Sequence, residues 1–78
     1  MNADLQSEKF LKALGARLRS VREKREWTLE NAEEHGWPSW QHLQKVESGK
    51  NITVVTLMKL CKLYRMRLSE VLEELKGY

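Results

Sequence analysis

The stretch TLENAEEHGWPSWQHLQKVESG, residues 28–49, decides how this chain is read. Thr28 and Ser39 each stand just before a short helical segment, where a hydroxyl accepts a hydrogen bond from a backbone N–H two or three residues on. Gly36 and Pro38 separate the two segments: glycine tolerates a left-handed turn, and proline biases Trp37 away from helix. In the second segment, predicted from Trp40 to Glu47, Leu43 and Val46 are the inward residues, three apart. Ser48-Gly49 ends it, with Gly49 as the left-handed cap. Two short helices joined by a tight turn follow, with Trp40, Gln41, His42, Gln44 and Lys45 left to point away from the core.

Working outward, Phe10, Leu11, Leu14, Leu18 and Val21 recur at spacings of three and four and predict an amphipathic helix from about Gln6 to Glu26. Gly15 lies inside it at a cost of about 1 kcal/mol relative to alanine, a position suited to the close approach of another helix. On the other side Thr53 caps a helix reaching Tyr64, with Val54, Leu57, Leu60, Cys61 and Tyr64 as its buried stripe. Arg65-Met66-Arg67 is the next joint. A last helix from about Ser69 to Lys76 carries Leu68, Val71, Leu72 and Leu75. The expected fold class is all-α: a compact five-helix domain over residues 10–76, preceded by an N-terminal arm of residues 1–9.

Composition narrows the function classes. Seventy-eight residues make one domain, which buries only about 60% of the surface its unfolded chain exposes, so a two-lobed enzyme is excluded. At 41% hydrophobic and 32% charged, the chain is too apolar for disorder and too polar for a membrane protein. No apolar run approaches the ~20 residues of a spanning helix, and no secretory leader is expected from its first residues. The single cysteine, Cys61, leaves no internal disulfide and fits a reducing cytoplasm. His35, His42 and Cys61 are too few and wrongly spaced for a zinc site. Neither metal nor cofactor is expected. A core cysteine without a pocket and the lack of a glycine-rich phosphate loop point away from an enzyme.

The net charge is only +3, but it is unevenly spread: +3 over residues 1–27, −3 over 28–48, +5 over 49–67 and −2 over 68–78. A basic face forms if the fold brings residues 49–52 and the first block to one side. Lys59, Lys62, Arg65 and Arg67 read more simply as the solvated side of a helix.

Two capped helices around a Gly/Pro turn form a helix-turn-helix. A helix about 10–12 Å across fits the major groove of B-DNA; the second helix of the pair faces base edges while the first crosses the backbone. Glutamine pairs bidentately with adenine, and lysine meets guanine or a phosphate, which singles out Gln41, Gln44 and Lys45. His42, when protonated, can donate to a phosphate or base. Trp40 either packs or lies against a sugar-phosphate edge or thymine methyl; Trp27 and Trp37 are read as core or hinge packing.

The chain resembles the Xre type of bacterial and phage helix-turn-helix regulators, the family of the lambda repressor and Cro. LGARLRSVR (residues 14–22) is similar to that family's first helix, and LQKVESGK (43–50) to the end of its recognition helix. LMKLCKLY (57–64) followed by LSEVL (68–72) is similar to its last two helices. The size also resembles the small controller proteins of restriction–modification systems. The resemblance implies a lambda-repressor-like fold and a transcriptional regulator binding double-stranded DNA as a homodimer on a palindromic operator. It further implies a structural ion pair between Arg22 and Glu47, base reading by Trp40, Gln41, His42, Gln44 and Lys45, and backbone contacts from Thr28, Ser39, Lys50 and Asn51. Two positions depart from the pattern. Leu29 stands where the family has a glutamine that touches a phosphate. Glu33 stands where it has a small residue, so either Ala32 takes that place with one extra residue in the turn, or the second helix packs differently.

The last helix, through Leu68, Val71, Leu72 and Leu75, is the expected dimer face, with the N-terminal arm as second choice; the simpler reading is that these residues close the core. The acidic Glu30, Glu33 and Glu34 support an alternative function, a protein-interaction module of the same fold such as an antitoxin or anti-repressor.

Overall fold

The computed structural model describes residues 5–78. Within them the chain is a compact all-α domain of five helices: α1 Leu5–Lys24, α2 Leu29–Glu34, α3 Trp40–Glu47, α4 Val54–Tyr64 and α5 Leu68–Glu73, with no strand among the described residues. Of the expected arm, residues 1–4 lie outside the described residues, and residues 5–9 form the first turns of α1.

Each helix of the central pair starts on the hydroxyl cap that its sequence offers. Thr28 Oγ1 accepts from the Asn31 N–H, while the Thr28 N–H donates to Asn31 Oδ1. These reciprocal bonds satisfy donors that a helix start leaves open. Ser39 Oγ accepts from the His42 N–H, and Thr53 Oγ1 from the Thr56 N–H. Both α2 and α3 end in the same way. Trp37 N–H donates to Ala32 O and Gly36 N–H to Glu33 O; Lys50 N–H donates to Lys45 O and Gly49 N–H to Val46 O. This pattern needs a left-handed residue after the helix, supplied by Gly36 (φ +119°) and Gly49 (φ +106°).

Two ends differ from expectation. The first helix stops at Lys24 rather than Glu26, because Glu26 itself takes the left-handed conformation, φ 60°; nothing in a glutamate announces that. The last helix is α5 Leu68–Glu73, shorter than expected and one residue earlier. It starts early because Glu70 Oε1 accepts from the Arg67 N–H, fixing the first turn ahead of Ser69.

Leu14, Leu18, Val21, Ala32, Trp37, Leu43, Val46, Leu57, Leu60, Cys61, Tyr64 and Val71 are buried together and make the core. Val54, expected in the buried stripe of α4, is 66% exposed: it is the first residue of its helix, beyond the edge of the core. Burial raises the Cys61 thiol pKa, as expected of a core residue. Val71 is fully enclosed by its own chain, which withdraws it from the expected dimer face. Leu68, Leu72 and Leu75 are only partly buried against the same core.

Arg17 and Arg25 clamp the helices together. Arg17 donates from Nε to Val71 O (3.2 Å) and from Nη2 to Glu70 O (3.0 Å), tying α1 to α5. Arg25 donates to Tyr64 O and lies over the Tyr64 ring, tying the end of α1 to the end of α4. With α1 so anchored, α3 packs on α1 and α2 and turns its other side outward.

Candidate nucleic-acid interface

The placement of α3 starts from Gly15. A Cβ there would lie 2.5 Å from Glu47 O and 2.6 Å from Val46 O, inside any tolerable contact. The two helices meet backbone to backbone, and only glycine permits it. About two turns further along α1, Arg22 fastens the same helix end. Its Nε and Nη2 donate to Glu47 Oε2 and Oε1 at 2.8 and 2.9 Å, and its Nη1 donates to Trp27 O at 2.7 Å. The side chains of both partners are more than nine-tenths buried. The Glu47 carboxylate, accepting from Arg22, raises the guanidinium pKa above its already high ordinary value, so the arginine stays charged. A bidentate pair in a dry place fixes both position and rotation of α3. Glu47 is therefore committed to structure.

At about 100° per residue, Gln41, Gln44, Lys45 and Ser48 fall within about 50° of the direction opposite Leu43 and Val46. All four are exposed. Trp40 and His42 fall about 90–110° from that direction, on opposite flanks of the helix; Trp40 is half-buried and His42 exposed. The structure thus brings Gln41, Gln44 and Lys45 onto one outward stripe, joined by Ser48, and sets Trp40 and His42 beside it. His42 leans on Trp37, with ring centroids 5.9 Å apart. Gln41 Oε1 accepts from the Ser39 hydroxyl at 3.1 Å; a bidentate pairing with adenine would require that bond to be released. The Gln44 and Lys45 side chains make no hydrogen bond within the described residues, while the Ser48 hydroxyl donates to Lys45 O at 2.8 Å.

Of the expected backbone contacts, Thr28 and Ser39 already serve as helix caps, and Lys50 and Asn51 are exposed in the α3–α4 joint. The first basic block does reach this joint: a Cβ on Gly49 would lie 2.9 Å from Lys12 Cγ. On the other rim, Arg19 shares a recess with Gln44, Ser48 and Leu29 while its Nε donates to Glu23 Oε2 at 3.0 Å. Arg19 and Ser48 were missed by sequence reasoning. Ser48 lies four residues past Gln44 and was legible in the helical period; Arg19 comes close only because α1 and α3 touch at Gly15.

Both departures are resolved locally. Ala32, fully buried, is the small residue at the α2 crossing, and Glu33 is exposed. Glu33 Oε2 reaches across the turn and accepts from the Trp40 N–H at 3.1 Å. It thereby satisfies one of the donors that the start of α3 leaves open. Leu29, half-buried, packs against the core beside Gln44.

Among the described residues no group of His, Cys, Asp and Glu side chains could hold a metal ion, and no helix is long and apolar enough to cross a membrane. Comparison with protein families, with curated proteins and with solved structures finds no match.

Proposed function

We propose that this chain is a sequence-specific DNA-binding transcriptional regulator of the Xre type, working in the cytoplasm as a homodimer on a palindromic operator and without enzymatic activity. One observation carries the reading. The outward stripe of α3 holds two glutamines and a lysine with no carboxylate among them, on a helix locked by a backbone contact at Gly15 and a buried ion pair. Rigid presentation of amide and ammonium groups is what direct readout of base edges requires. Lys12, Lys50 and Asn51 at one end of that helix and Arg19 along its rim are suited to flanking phosphates. A domain this small makes few base contacts alone, so pairing across a dyad, with half-sites about 34 Å apart, supplies affinity and specificity. The remaining α5 residues Leu68, Leu72 and Leu75 are the dimer face in this reading.

The test is selection of a preferred duplex from a random pool, followed by anisotropy titrations across a salt series. Gln44→Ala is expected to cost about 1–3 kcal/mol on the selected duplex and to relax preference at one base position. Lys45→Ala is expected to weaken binding with the fold intact. Wild-type affinity in both variants would remove the site assignment, and no preference for any duplex over random sequence would remove the function.

A second reading, a protein-interaction module of the same fold, has its own support. Val54, Val55 and Met58 at the start of α4 are all more than half exposed, an apolar cluster with no use in phosphate or base contact.

A further inference from the structure

On the side of α3 away from the Arg19 rim lies a cleft of about 510 Å³ between the α2–α3 turn and α4. We propose that this cleft binds a small organic anion with an aromatic body, such as an aromatic carboxylate or phosphate monoester. The floor is apolar: the Trp37 indole, buried, with Pro38 and the half-buried Leu63. Its walls are cationic. Lys59 and Lys62, three apart on α4, present adjacent ammonium groups, with Thr56 one turn earlier and His42 across from them on α3. Neither lysine is in any of the ion pairs among the described residues, which join Arg19 to Glu23, Arg22 to Glu47 and Arg67 to Glu70. No carboxylate lines the cleft. Two unneutralised ammonium groups over an aromatic floor suit a ligand with a flat apolar part and a compact negative end.

A second observation is independent of the charges. Trp37 Nε1 is buried and has no hydrogen-bond partner, although a buried indole N–H ordinarily finds an acceptor. Among the residues lining the cleft it is the one buried side-chain donor without a partner, and a shift of the ring that brings Nε1 to the cleft surface would offer it to a ligand oxygen. The position also gives binding a consequence. The helix α3 packs mainly on α1 and α2, so a ligand held between His42 and the α4 lysines would bridge α3 to α4. The inference goes beyond DNA binding and does not depend on it, since the ligand is taken up by the free protein.

The experiment uses the full chain labelled with ¹⁵N and titrated with phenyl phosphate, with inorganic phosphate and phenol as its two halves. The indole N–H signals are assigned through Trp27→Phe and Trp40→Phe. Phenyl phosphate is expected to shift the Trp37 indole N–H and the Lys59, Lys62 and Leu63 amides saturably, and to bind at least threefold more tightly than either half. The double substitution Lys59→Gln with Lys62→Gln is expected to weaken it about tenfold. Unchanged affinity in the double variant, shifts centred instead on a second groove, lined by Phe10, Leu11 and Ile52 among others, or no saturable shift would each overturn the proposal. So would a fall of about two in the salt slope of duplex binding by the double variant, because the lysines would then belong to DNA phosphates.

Discussion

Replacing Gly15 with alanine sets two effects of opposite sign against each other. On a free helix the change stabilises by about 1 kcal/mol, because glycine is the poorer helix former. Here the new Cβ would stand 2.5 Å from Glu47 O, 2.6 Å from Val46 O and 2.8 Å from the Glu47 carbonyl carbon. Comfortable C···O contacts are about 3.3–3.6 Å, so α3 must retreat by roughly 0.8 Å or more. All three atoms are backbone, so no rotamer change relieves the clash. The retreat also stretches the Arg22–Glu47 bonds from 2.8 and 2.9 Å beyond good geometry. Overpacking of this kind costs about 1–3 kcal/mol before the ion pair is counted. A net loss of about 2 kcal/mol is expected, which for a domain of this size lowers Tm by about 8–16 °C. Urea unfolding followed by circular dichroism gives the free energy directly. Ala16→Gly, one residue on and exposed, reports the propensity term alone at about 1 kcal/mol. If Gly15→Ala proved as stable as the parent or more so, the close approach of α1 and α3 would be wrong, and with it the locked presentation of α3.

Burial first, and the Glu47 charge second, push the Tyr64 hydroxyl up to about 12, with Arg22 and Arg25 opposing. The fold therefore holds that proton more tightly than the unfolded chain, whose tyrosine titrates near 10. This contribution is whole below pH 10 and lost as pH rises from about 10 to 12, by up to about 2–3 kcal/mol. Tyr64→Phe should flatten that part of the stability–pH curve. Because the hydroxyl is buried with no hydrogen-bond partner, the variant should be as stable as the parent at pH 7 or up to about 1–2 kcal/mol more so; a loss larger than 1 kcal/mol would show a missed partner. Glu47→Gln leaves Arg22 buried beside a neutral amide and should cost about 3–5 kcal/mol, whereas Arg22→Met with Glu47→Leu should cost less than the two single changes summed; additivity in denaturant titrations would contradict the pair. Glu33→Gln keeps an acceptor for the Trp40 N–H but removes a negative charge from the start of α3. Duplex binding should strengthen several-fold while stability falls by no more than about 1 kcal/mol, and weaker binding would show the carboxylate acting otherwise.

What the sequence made legible was whatever depends on local chemistry. The hydroxyl caps Thr28, Ser39 and Thr53, the left-handed Gly36 and Gly49, and the inward pair Leu43 and Val46 all stand where the residues indicate, because each is decided within a few positions of itself. The joint at Arg65 was expected and stands there, but the stop of the first helix ahead of Glu26 was not marked, since Glu26 takes φ near +60° without being glycine. Arg17 and Arg25 show the same limit. Which carbonyl either side chain reaches depends on residues 39 to 54 positions away in the chain. Gly15 lies between the two cases: its presence in a helix hinted at a close neighbour but did not say which.

The acidic second segment looks, from charge alone, like an obstacle to DNA. The structure distributes that charge differently. Glu47 is enclosed and neutralised by Arg22, Glu34 accepts from Asn31 Nδ2 at 3.1 Å, and Glu33 is turned onto the N-terminal end of α3. Three of the four carboxylates of residues 28–48 are thus engaged inside the chain, and none lies on the outward stripe of α3, where Lys45 is the one charged side chain. Repulsion between exposed charges fades beyond a Debye length of about 8 Å at physiological salt. What a groove would meet first is therefore the local arrangement at Gln41, Gln44 and Lys45, not the sum of −3. Glu33 sits at the start of α3, where the positive end of that helix would otherwise attract a phosphate. If the chain binds DNA as proposed, capping α3 with its own acid holds that helix firmly in the free state and gives up one phosphate anchor in exchange, which would shift the burden of affinity onto Gln41, Gln44 and Lys45 and onto pairing of two copies.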